Sequence, residues 1–229
     1  MGRASTYIGV TLKTIFLIAI VILSGFFALK YAQEYLASDE WKYTLVVFGS
    51  LAISIITYII INKIENEVFT IILSLINVVA TGVSLGVLSG MFELYYEGIV
   101  NIAITATFVI FGIFLLLFLI GLFRVDSAFL KFLALIIFGA SAVVLYMSII
   151  DVTQYSDKIL TLLIVISSIL VIFAIIELYF DFEYVKDNIE DGCDKFEEWQ
   201  LSIHLVMGLI NLYIEILRLI YLLIEKFKD

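Results

Sequence analysis

The stretch Leu201-Ser-Ile-His-Leu-Val-Met-Gly-Leu-Ile-Asn-Leu-Tyr-Ile-Glu-Ile-Leu-Arg218 decides how the rest of the chain is read. It is apolar enough to lie in lipid, yet His204, Gly208, Asn211, Glu215 and Arg218 recur at alternating steps of four and three. That spacing marks one face of an α-helix. Polar and ionisable groups inside a bilayer are costly and turn toward protein or a water-filled path. A helix with such a stripe is expected at the centre of a bundle, wrapped by its neighbours. Glu215 and Arg218, three residues apart, are placed to form an ion pair that lowers the cost of both.

Six further apolar runs precede this one, giving expected spans at about 8–31, 43–61, 68–91, 99–122, 128–150, 159–180 and 201–224. Each is near or above the roughly 20 residues that a bilayer crossing needs. The connectors are short and polar; the longest is Asp181–Gln200. Hydrophobic residues make up 63% of the 229 and charged residues 15%, well away from soluble-domain values of about half and a quarter. The expected fold class is therefore an all-α integral membrane protein, with 1–229 forming a single seven-helix membrane domain and six helices packed around the C-terminal one.

The first run, after Arg3 and Lys13, is too long for a signal-peptide core and no small-residue cleavage site follows it, so it reads as a retained span. Trp41 and Trp199 fall at expected lipid–water boundaries. With the N-terminus cytoplasmic, six Lys and Arg residues of the loops lie inside and five outside. That small excess favours this orientation in a cell membrane.

Charge excludes some function classes. The net charge of -9 and thirteen scattered basic residues leave no basic patch for nucleic acid. One cysteine, Cys193, and one histidine, His204, cannot make an internal disulfide or a Cys/His zinc site. No cofactor and no resident metal is expected. Gly82-Val-Ser-Leu-Gly86 matches G-x-S-x-G, but that motif needs a strand–turn–helix elbow and this segment lies inside a span. Ser84 or Ser89 with His204 would lack an oxyanion hole, so no enzyme is expected.

Polar residues within the spans divide into two sets. Ser50, Ser54 and Thr57 in the second run, and Ser74, Asn77, Thr81 and Ser84 in the third, read first as hydrogen bonds between helices. Gly82, Gly86 and Gly90 form small-xxx-small steps that let backbones approach. The carboxylates Glu177, Asp181 and Glu215 point instead to an ion or proton pathway, because intramembrane acids usually mark one. From its position early in the last run, His204 is expected nearer Asp181 than Glu215 is.

The last run resembles the closing segment of the Bax inhibitor / YccA membrane proteins, above all the bacterial YccA-like branch with its L-E-I-L-R ending. Gly86-Val-Leu-Ser-Gly-Met-Phe-Glu with Gly98-Ile-Val, then Phe180-Asp-Phe, Gly192 and Glu198-Trp199, and more weakly Gly121-Leu-Phe-Arg-Val125, fit the same branch. The resemblance implies seven helices, six around the seventh, and a pH-sensitive calcium leak gated by an acidic pair on the sixth and seventh helices. Asp181 matches the sixth-helix acid. The position one turn before Asn211 is Gly208, so the seventh-helix acid does not carry over there, and Glu215 is the acid of the L-E-I-L-R position. The expected function is thus a passive cation leak, calcium first, across the lipid bilayer. The candidate pathway or gate residues are Asp181, Glu177, Glu215, His204, Asn211 and Arg218. The alternative is a non-transporting interaction protein that modulates a membrane-anchored AAA protease.

Overall fold

The computed structural model describes residues 5–32, 40–120 and 157–228. Six helices are present among them: α1 (Tyr7–Tyr31), α2 (Glu40–Ile61), α3 (Glu67–Tyr95), α4 (Ile99–Leu119), α5 (Asp157–Glu190) and α6 (Glu197–Lys226). All six are long and apolar enough to cross a membrane, and no strand occurs among the described residues. The expected run at 128–150 lies outside the described residues. Large apolar side chains such as Phe27, Phe48, Leu116 and Leu162 are exposed, as on helices whose solvent is lipid.

Local sequence explains the helix ends. Thr6 caps α1 by accepting from the Gly9 N–H at 3.0 Å, and Asn66 caps α3 by accepting from the Phe69 N–H at 3.2 Å. Gly98, at φ +87°, makes the left-handed turn into α4.

One boundary differs markedly from expectation. The sixth run does not stop near 180, and most of the Asp181–Gln200 connector is helical; only 191–196 separates α5 from α6. Charge alone does not end a helix. Phe182 and Val185 remain buried on the continuing face, and Lys186 pairs with Glu190 at 3.7 Å across one turn. What ends α5 is Gly192 at φ +82°, where the Cys193 N–H reaches the Asn188 carbonyl (3.2 Å) and the Gly192 N–H the Ile189 carbonyl (3.1 Å). These two bonds form a Schellman cap. At about 1.5 Å per residue, the 34 residues of α5 span roughly 50 Å against a hydrocarbon core of about 30 Å, so the helix continues beyond the core.

The chain divides into two compact units. Unit one holds residues 1–97 and 185–206; unit two holds 98–184 and 207–229. In unit one, α3 packs against both α1 and α2. The glycine row of α3 lies on α1. A methyl group at Gly86 would collide with the Gly25 backbone, and one at Gly82 with Ser24 and the Val21 carbonyl. Gly90 stands 3.6 Å, measured from its ideal Cβ position, from the Ala32 methyl. On the α2 side, the Asn77 amide donates to the Ser54 carbonyl (2.7 Å) and to the Thr57 hydroxyl (2.9 Å), while the Ser54 and Thr81 hydroxyls meet at 2.7 Å. In unit two, Phe182 of α5 is fully buried against Phe111, Phe114 and Phe118 of α4, with ring centroids 5.3–6.2 Å apart.

Candidate functional site

The candidate acids of unit two are set by helical spacing. Glu177 and Asp181 stand one turn apart on α5, and Gly208, Asn211, Glu215 and Arg218 follow one face of α6. The Asn211 side-chain amide donates to Glu177 Oε2 at 2.7 Å. A methyl group placed at Gly208 would meet the carboxylate of Asp181. Asp181 thus occupies the space that a side chain at 208 would take, and a bare backbone lets its carboxylate lie against α6. Two carboxylates of α5 therefore meet two neighbouring positions of the α6 stripe, one through an amide and one through a glycine.

Glu215 has a different role. It is 2% exposed and forms an ion pair with Arg218, itself fully buried, so the two charges are matched within the helix. Breaking such a pair would leave one buried charge uncompensated, at a cost of about 3–5 kcal/mol.

His204 belongs to unit one and Asp181 to unit two. The His204 Nδ1 lies 3.0 Å from the Tyr58 hydroxyl of α2. Among the described residues no group of three or more His, Cys, Asp or Glu side chains is placed to hold a metal ion. Gly82-Val-Ser-Leu-Gly86 is continuous helix, and the Ser84 hydroxyl donates to the Thr81 carbonyl at 2.8 Å, so the segment forms no nucleophile elbow.

Sequence reasoning missed one charged cluster. Glu198, only 1% exposed at the start of α6, accepts from Lys13 Nζ at 2.5 Å and from the Thr6 N–H at 2.9 Å. The absent side chain of Gly9 admits its carboxylate, since a methyl group there would collide with it. Ser5 adds two bonds to the turn before α6: its N–H to the Cys193 carbonyl at 3.0 Å and its hydroxyl to the Asp194 carbonyl at 2.7 Å. Trp199, expected at a lipid boundary, packs edge-on to Phe16 at 6.3 Å with Lys13 over its ring at 5.2 Å. The acids Glu197 and Glu198 in the first turn of α6 were the one local signal, favourable at the positive end of a helix dipole. The partners of Glu198 lie some 190 residues away in sequence and leave no trace in any local pattern.

Comparison with known proteins adds a single result. No curated protein matches the chain. A family profile described as Bax inhibitor 1 like matches residues 2–225, nearly the whole sequence. With its apolar helices, this makes the protein a multi-pass membrane protein, and the chain belongs to the Bax inhibitor 1 like family.

Proposed function

We propose that the chain is a passive, pH-sensitive cation pathway, with calcium as the leading candidate, and that Glu177 and Asp181 form its gate. The observation that carries the reading is the row of oxygen-bearing groups where α5 meets α6. Glu177 bonds Asn211 at 2.7 Å, and one turn along the carboxylate of Asp181 rests against Gly208. Carboxylate and amide oxygens suit a divalent ion, and protonation removes the charge that attracts it. An amide can serve either state of Glu177, donating from nitrogen to the carboxylate or accepting at oxygen from the acid. The switch is therefore in charge and not in the loss of a bond. Glu215 and Arg218 are paired within α6, and His204 is a further titratable group on the same helix.

In this reading the 128–150 run supplies a seventh span, fifth in order, and six spans surround α6. Support comes from burial: 56% of the apolar window of α6 is buried, against 22–28% for α1, α2, α4 and α5. α3 is equally buried, so it shares the interior. The N-terminus is placed in the cytoplasm of a bacterial cell, and the chain in the YccA-like branch, from the loop charges and the Leu-Tyr-Ile-Glu-Ile-Leu-Arg ending.

The test is calcium flux into liposomes holding the purified full chain, measured from pH 5 to pH 8. Glu177→Gln and Asp181→Asn should each change the pH profile, and the double variant should flatten it. Glu215→Gln should act mainly on stability. A pH profile unchanged in the double variant would sink the gate. If no flux is seen with any variant while a membrane-anchored AAA protease still co-purifies, the interaction reading replaces it.

A further inference from the structure

Four buried polar atoms of unit one have no hydrogen-bond partner among the described residues: Thr11 Oγ1 and Thr14 Oγ1 on α1, and Ser74 Oγ and Asn77 Oδ1 on α3. Their residues are at most 7% exposed, and Thr14, Ser74 and Asn77 are fully buried. Many other buried or half-buried helical hydroxyls turn back onto their own helix, although the fully buried Ser167 of α5 does not. Ser24, Ser50, Thr70, Thr107 and Ser168 all bond the carbonyl four residues earlier, at 2.7–3.0 Å. Thr11, Thr14 and Ser74 depart from that habit. Asn77 is constrained differently. Both N–H bonds of its amide are used on α2, and Oδ1 can only accept.

Thr14 and Ser74 share one level of the α1–α3 seam, with Thr11 a turn to one side of it and Asn77 a turn to the other. The contacts that fix the register pair Val21 and Gly25 with Gly82, Gly25 with Gly86, and Leu29 and Ala32 with Gly90, which are offsets of 57 to 61 residues. Thr14 and Ser74 differ by 60 and so stand level, a few turns from the glycine contact. Within each helix the partners are three apart, Thr11 with Thr14 and Ser74 with Asn77, and neighbour each other along the surface. The four-residue row that carries Gly90, Gly86 and Gly82 continues through Val78 to Ser74, buried throughout. Direct backbone contact at one end of the seam thus gives way to polar side chains.

We infer that Thr11, Thr14, Ser74 and Asn77 enclose a buried hydration site between α1 and α3. An ordered water there accepts from the Thr14 and Ser74 hydroxyls and donates to Asn77 Oδ1, so that these three groups are satisfied. A buried water needs two to four polar partners, and the site supplies them. With Asn77 also bonded to α2, the water completes a network joining three helices. The lining holds no carboxylate, so it does not favour a divalent ion, and the inference stands whether or not the chain conducts calcium.

The decisive experiment is a structure of the full chain in lipid at a resolution that shows waters, with and without soaked rubidium. The expected result is density 2.6–3.2 Å from Asn77 Oδ1 and from at least one of the hydroxyls, unchanged by rubidium. Hydroxyls of Thr14 and Ser74 turned onto their own helix carbonyls, with no density between the helices, would overturn the inference. So would an anomalous rubidium peak, which would make the site a monovalent-cation site. Thermal unfolding provides a second reading. Thr14→Val and Ser74→Ala should each lower Tm by about 2–4 °C, with the double variant lowering it no further, because either substitution releases the same water. Fully additive shifts would count against a shared water.

Discussion

Glu198 offers the most exacting stability prediction, because its replacement disturbs a buried charge whose partners are all known by position. The carboxylate takes Lys13 at 2.5 Å and the Thr6 N–H at 2.9 Å, and is 1% exposed. Glu198→Ala removes one member of a buried pair, for which about 3–5 kcal/mol is typical. The lower end applies here. The Lys13 side chain is 18% exposed, can reach toward water along its stem, and keeps its place over the Trp199 ring. A loss of about 3 kcal/mol follows, and at roughly 2–4 °C per kcal/mol for a chain of this size Tm should fall by about 6–12 °C. Glu198→Gln keeps an acceptor for the Thr6 N–H and loses only the charge, so about half that fall is expected. Adding Lys13→Met to Glu198→Gln should recover part of the loss, since neither charge then lacks its partner. The assay is thermal unfolding in detergent or nanodiscs, followed by tryptophan fluorescence. A shift below 2 °C for Glu198→Ala would refute the idea that this clamp holds α1 to the start of α6.

Other positions give shorter tests. Gly86→Leu, whose side chain must displace the Gly25 backbone, should destabilise by about 3 kcal/mol or more, whereas Gly112→Ala, with open space around it, should be neutral in the same melt. Gly208→Ala should alter the pH profile of flux more than it alters Tm, because what it displaces is the end of the Asp181 side chain. Burial pushes the Cys193 thiol above its ordinary range, more than the nearby Ser5 contact lowers it. Less thiolate is then present at pH 7, so maleimide labelling should be slower than for an exposed cysteine and should accelerate steadily above pH 8.

The sequence was most informative where lipid imposes its own rule. An apolar run long enough to span, with its backbone bonds satisfied internally, has few alternatives to a helix, and α1 to α4 begin within three residues of the expected positions. Polar connectors were less informative. Asp181 to Glu190 reads as loop by charge, yet Phe182, Val185 and the Lys186–Glu190 pair suit a helix leaving the membrane, and only Gly192 carries the stop. Among site residues, the local pairs were legible because spacing of three or four residues fixes them, as for Glu215 and Arg218. Pairs made by packing were not. Nothing in the order of residues tells that Asn211 meets Glu177, that His204 meets Tyr58, or that Glu198 meets Lys13.

Glycines connect these observations. Gly86 admits the backbone of Gly25, Gly9 admits the carboxylate of Glu198, and Gly208 admits that of Asp181. The first is the packing use expected of small-xxx-small steps. The other two show a second use, in which a missing side chain on one helix makes room for a charged side chain from another. A carboxylate held this way is defined by the backbone beside it and needs no acid at the facing position. That is a physical route by which a chain lacking an acid at 208 can still present Asp181 to the polar face of α6. It also separates two kinds of substitution at Asp181. Asparagine preserves the shape and removes the charge, so flux should change while packing holds. Leucine fills the same space with branched carbon that the Gly208 notch does not match, so both should fail. Equal effects of Asp181→Asn and Asp181→Leu on Tm would mean that the carboxylate's charge, and not its fit against Gly208, secures that contact.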